Sequence, residues 1–93
     1  MKAMLQDTLI AESGDIVMLD GYAYFPRGAV NTQWLERAAK TESDLECPHG
    51  VQFYDVVIDG ERHVRAAWSY EAPKPAASTL ADRFGFWQDV KVT

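Results

Sequence analysis

The side chains with the widest chemical reach gather between Cys47 and Tyr70, in the stretch CPHGVQFYDVVIDGERHVRAAWSY. It holds the single cysteine, both histidines, one of three tryptophans and two of four tyrosines. Cys47 is a candidate nucleophile if a nearby His49 or a helix start favours its thiolate. It also reads as a small buried apolar residue at the start of a strand. Cys47 and His49 are the soft or near-neutral titrating groups near one another, which makes them the candidates for acid-base or nucleophilic work. On an extended strand, side chains two residues apart leave the same face with Cα atoms about 7 Å apart. That spacing suits a shared ligand better than a direct thiolate-imidazole pair. A Cys-His metal site would need two further ligands, and His63 falls near the opposite end of the hairpin, so neither a metal nor another cofactor is expected.

These residues must be positioned by a hairpin. The runs VQFYDVVI and ERHVRAAWSY flank Asp59-Gly60, a dipeptide that tolerates the positive φ of a tight turn. A two-residue turn sets Phe53 opposite Ala66, Val51 opposite Trp68 and His49 opposite Tyr70. Because side chains alternate with period two, Cys47, His49, Val51, Phe53, Ala66, Trp68 and Tyr70 are then predicted to share one face. A bulge or a three-residue loop would reverse one strand. Trp68 and Tyr70 would fill a core or wall a concave pocket in which Tyr70, His49 and Tyr24 supply polar tips. His63 is expected on the solvent-facing side with Val56. Arg65 and Tyr54 would lie on the other face, read first as a solvated strand face and otherwise as a cation-π pair or an anion contact. Trp34 and Trp87 read as core or interface.

Upstream, KAML, TLIAE, IVML and YAYF are short β runs punctuated by Gln6-Asp7, Ser13-Gly14-Asp15 and Asp20-Gly21, the pattern of a meander. The last of these turns predicts Leu19 opposite Tyr22, Met18 opposite Ala23 and Val17 opposite Tyr24, and Pro26 should end the strand. Asn31 then precedes TQWLERAA, which predicts a short helix capped by Asn31, with Val30 stapled on Leu35. Lys40 to Glu46 reads as a surface loop. Ala76 to Arg83 reads as a second short helix begun near Pro75 and ended by Gly85. The closing FWQDVKV returns to β character.

Ninety-three residues, 47% of them hydrophobic, are enough for one small core, so a single domain over 1–93 is expected. Fourteen acidic against nine scattered basic residues give a net charge of −5, which repels nucleic acid and anionic membrane surfaces. Apolar runs of about four residues leave no candidate spanning helix, and a lone cysteine fits a reducing compartment. The expectation is a soluble cytoplasmic protein.

Taken in order, GYAYFPRGAVN, a Cys-Pro pair followed by glycine, FYDVVIDG, AAWSYEAPKPAA and FWQDVKV resemble the small bacterial family known as domain of unknown function 427, also labelled nucleotidyltransferase type 9. The resemblance runs over about the whole chain. It implies a mainly β fold with little helix, similar to a complex-β or tent-like sheet, and no settled activity. Nucleotidyl transfer normally needs several carboxylates around magnesium and a glycine-rich phosphate cradle, and neither is legible here. Relatives commonly place Lys-Gly after Cys-Pro and one variable residue, whereas this chain reads Cys47-Pro48-His49-Gly50.

The expected architecture is thus mainly β, or β-rich α+β: one compact twisted antiparallel sheet with two short helices. The leading functional expectation is a domain binding a small molecule through Cys47, His49, Trp68, Tyr70 and Tyr24. The alternatives are an enzyme using Cys47 or His49, and an interaction or oligomerisation module such as a homodimer.

Overall fold

A computed structural model of the chain describes residues 1–47, 50–71 and 79–93. The described residues form nine strands: β1 (Lys2–Leu5), β2 (Thr8–Glu12), β3 (Val17–Leu19), β4 (Tyr22–Pro26), β5 (Leu35–Arg37), β6 (Val51–Ile58), β7 (Glu61–Tyr70), β8 (Arg83–Phe86) and β9 (Lys91–Val92). The mainly β class is as the sequence indicates, but the strands divide between two antiparallel sheets rather than one. β2-β1-β9 make a three-stranded sheet, and β3-β4-β8-β7-β6-β5 make a six-stranded one.

Period-two alternation explains how the larger sheet serves two apolar layers. Ala23 and Phe25 of β4, Tyr54 and Val56 of β6, Ala67 of β7, and Phe84 and Phe86 of β8 are buried together with Ala3, Leu5, Ile10 and Ala11 of the smaller sheet. This is the core. The intervening residues Tyr24, Val51 and Trp68 belong to a second cluster, joined by Phe53, Tyr70 and Trp87. A half-exposed antiparallel sheet normally turns polar residues to water on that side; here the second face is aromatic.

Local turn chemistry performs as expected at both Asp-Gly hairpins. Asp20 and Gly21 sit at φ 53° and 85°, and Asp59 and Gly60 at 51° and 80°, the left-handed region these residue types tolerate. The β3-β4 register is Val17 to Tyr24, Met18 to Ala23 and Leu19 to Tyr22, as predicted.

Helix is scarcer than the sequence implies. Asn31 does not cap a helix; its side-chain amide donates to the Leu9 carbonyl at 3.2 Å. Thr32–Trp34 is a single 3₁₀ turn, and Leu35–Arg37 pairs with β6, Leu35 opposite Val56. A two-turn helix is marginal on its own, whereas an edge strand here satisfies the otherwise open side of β6. Conversely, Lys40 to Glu46, expected as a loop, contains the one-turn helix α1 (Glu42–Leu45), held by a reciprocal cap between Thr41 and Asp44. Of the second expected helix, Ala76 to Ser78 lie outside the described residues, while Leu80 is buried in the aromatic cluster and Arg83 already begins β8.

Candidate functional site

The β6-β7 hairpin leaves its turn as predicted, with Ile58 opposite Glu61 and Val56 opposite His63, but the register then shifts. Two steps of β6, from Val56 to Tyr54, span four of β7, from His63 to Ala67. The anticipated pairings are therefore displaced: Phe53 faces Trp68 and Val51 faces Tyr70. An offset of two preserves parity, so Val51, Phe53, Trp68 and Tyr70 still share a face. Ala66 does not join them and is buried in the core instead.

Asp55 and Arg65 build this bulge. Arg65 sits at φ 56°, an unusual conformation for a long side chain. Its amide donates to Asp55 Oδ1 at 2.9 Å, and Asp55 Oδ2 accepts from Arg62 at 2.6 Å. The Arg65 guanidinium donates to both carboxylate oxygens of Asp44 at 2.9 and 3.0 Å, and it lies 3.9 Å from the ring centre of Phe53. Arg65 is therefore neither on a solvated strand face nor paired with Tyr54, but stacks on Phe53; Arg37 lies near Tyr54, at 6.0 Å. The paired guanidinium of Arg65 draws the Asp44 carboxyl down to about 2 against the opposing effect of burial.

On the face so organised lies a cavity of about 200 Å³. Val51 and Phe53 form one side, Trp68 and Tyr70 its floor, Tyr22 and Tyr24 of β4 the opposite side, and Trp87 and Asp20 complete the lining. Trp68 lies directly over Gly85, its partner across β7-β8. A Cβ at Gly85 would stand 2.6 Å from Trp68 Cζ2 and 2.7 Å from Cε2, so only glycine allows the indole to lie there. Gly85 is thus a seat within a strand rather than a helix terminator. Trp87 is fixed by its indole N–H, which donates to the Arg65 carbonyl at 2.5 Å.

Two polar groups distinguish the cavity. Trp68 is 4% exposed, and its indole N–H is buried without a partner in hydrogen-bond geometry. The Tyr24 hydroxyl is pushed up to about 12, chiefly by burial and further by Tyr70 and Asp20, with the adjacent Trp68 indole acting in the opposite direction. The indole acts on Tyr24 as a hydrogen-bond donor of poor geometry, which favours the phenolate.

Of the residues singled out from the sequence, Tyr24, Trp68 and Tyr70 converge on this cavity. Cys47 packs against the aromatic cluster without lining the cavity. His49 and Pro48 lie outside the described residues. His63, expected to face solvent, has a side chain only 9% exposed, with Nδ1 2.9 Å from Asp89 Oδ2 and Nε2 3.6 Å from Glu61. It borders a separate cleft with Leu5 and Gln6. Among the described residues, no group of three or more His, Cys, Asp and Glu side chains is placed to hold a metal ion. None of their helices is long and apolar enough to cross a membrane.

Sequence reasoning missed Asp20, Tyr22 and Trp87 as lining residues. Tyr22 carried a usable signal, being two positions from Tyr24 on the same strand face. Asp20 and Trp87 lie beyond strand ends, where alternation gives no direction.

The fold and site define a small, two-sheet β domain with an aromatic-lined cavity on the outer face of the larger sheet. The family model for domain of unknown function 427 (DUF427) matches residues 1–93, and the chain belongs to that family. A comparison with curated proteins found no match.

Proposed function

We propose that the protein is a small-molecule-binding domain whose ligand sits in the cavity between β4 and the β6-β7 hairpin. The observation that carries this reading is the cavity itself, about 200 Å³ and walled by the rings of Tyr22, Tyr24, Phe53, Trp68, Tyr70 and Trp87. The lining is what small-molecule sites typically present, mostly apolar surface with a few convergent polar tips, here from Tyr24, Tyr70 and Asp20. At about 200 Å³ the space suits a compact molecule or head group rather than a nucleotide. The lining draws on the sequence-predicted residues Trp68, Tyr70 and Tyr24, and Cys47 packs against the cluster they belong to.

The reading is tested by nuclear magnetic resonance on the labelled full chain against a library of neutral, anionic and cationic fragments. Binding should perturb the indole N–H signals of Trp68 and Trp87 and the amides of Tyr22 to Tyr24. If no fragment at millimolar concentration shifts these signals, or if all responses map to other surfaces, the reading fails.

A further inference from the structure

We infer that the cavity is selective for a methylated ammonium head group, caged by Tyr22, Trp68 and Trp87 with Asp20 as the counter-charge. This rests on the small-molecule reading above and specifies its ligand class. The three rings are set steeply to one another: Tyr22 and Trp68 at 90°, Tyr22 and Trp87 at 77°, and Trp68 and Trp87 at 65°, with centroids 5.0 to 6.5 Å apart. Such planes form a corner rather than a stack. Each edge-to-face contact covers part of one ring, and the ring surface left toward the cavity is the kind that attracts a compact cation. A flat aromatic ligand would instead need two separated parallel walls, and the nearly parallel pair at the site, Phe53 and Trp87, is already closed at 5.9 Å and 25°.

Charge points the same way. Asp20 is the charged residue among the described lining residues, and no lysine, arginine or histidine is included with it. Arg65, which stacks on Phe53, is neutralised by its two bonds to Asp44. An anion would therefore meet desolvation and a carboxylate without a compensating partner. A quaternary or methylated ammonium carries little hydration to lose, fills the space with methyl groups, and retains its charge at every working pH.

The decisive comparison is between choline and 3,3-dimethyl-1-butanol, which has the same shape without the charge. Binding to the full chain is followed by tryptophan fluorescence and by the Trp68 and Trp87 indole signals. Choline should bind about tenfold more tightly than the alcohol. The Asp20→Asn variant, which keeps a residue tolerant of the positive φ at this turn, should lose much of that preference while its circular dichroism and thermal midpoint are retained. Equal binding of choline and alcohol overturns the cation inference and leaves the small-molecule reading standing. So does fragment binding at these indoles with no response to choline. If neither choline, the alcohol nor any fragment binds there, both readings fall. A peptide carrying one trimethyllysine distinguishes the source of the head group: tighter binding than choline indicates a modified chain, and weaker binding a free small molecule.

Discussion

Gly85 and Trp68 show how much of the site rests on one pair of residues. The indole occupies the space where any β-carbon at position 85 would lie, at 2.6 Å. Gly85→Ala should therefore cost about 1–3 kcal/mol, as overpacking in a well-filled site does, and should shift the tryptophan emission because Trp68 must move. Gly28→Ala is the matching control: a β-carbon there has nothing within 4 Å, and its effect should stay within about 0.5 kcal/mol. Urea unfolding of the two variants checks both values, and equal losses would show that the Trp68 seat is not the cause. In sequence, Gly85 read as a helix stop because it followed a polar, helix-compatible stretch. Its real role depends on a residue seventeen positions earlier that reaches it only across two paired strands.

Among the elements, the bulge in β7 is the decisive feature, and its stability is tied to one buried acid. Asp44 is 5% exposed and paired with Arg65, so it links α1 to the bulge and, through Arg65, to the ring of Phe53. Its carboxyl stands near 2 when folded, against an ordinary value of 3.8. Because the folded value is the lower one, the unfolded chain takes up the proton first as pH falls. The contribution is complete above about pH 4 and is lost between there and pH 2. Asp44→Asn should lose about 3 kcal/mol at neutral pH, the low end for a buried pair because Arg65 keeps 27% of its side chain in water. It should also flatten the acid side of the stability profile, which urea titrations at neutral and acid pH would measure. A profile as steep in the variant as in the parent would remove Asp44 from the account. The hairpin itself was legible from Asp59-Gly60 and the alternating runs around it. The bulge was not, because it is specified by Asp55, Asp44 and Arg65 meeting from three separate parts of the chain.

For the molecule as a whole, the arrangement of strands sets an order of stability. β6, β7 and β8 are paired on both sides, and Ala67, Trp68 and Ser69 lie at the centre of the larger sheet. β3 and β5 form its edges. Hydrogen exchange should thus be slowest for the amides of Ala67 to Ser69 and faster by orders of magnitude in β3 and β5. Comparable protection of β5 would point to cover on that edge from another chain. The sequence by itself determined the mainly β class, the positions of both Asp-Gly turns, the β3-β4 register and the common face of Val51, Phe53, Trp68 and Tyr70, because these follow from backbone preference and period-two alternation over a few neighbouring residues. Tertiary structure alone decided that the strands form two sheets, that Leu35–Arg37 is a strand rather than a helix, and that Tyr22, Trp87 and Asp20 meet Trp68 around one cavity. Those outcomes depend on which distant segment satisfies an open strand edge or buries an aromatic face, and that competition is resolved only when the whole chain packs.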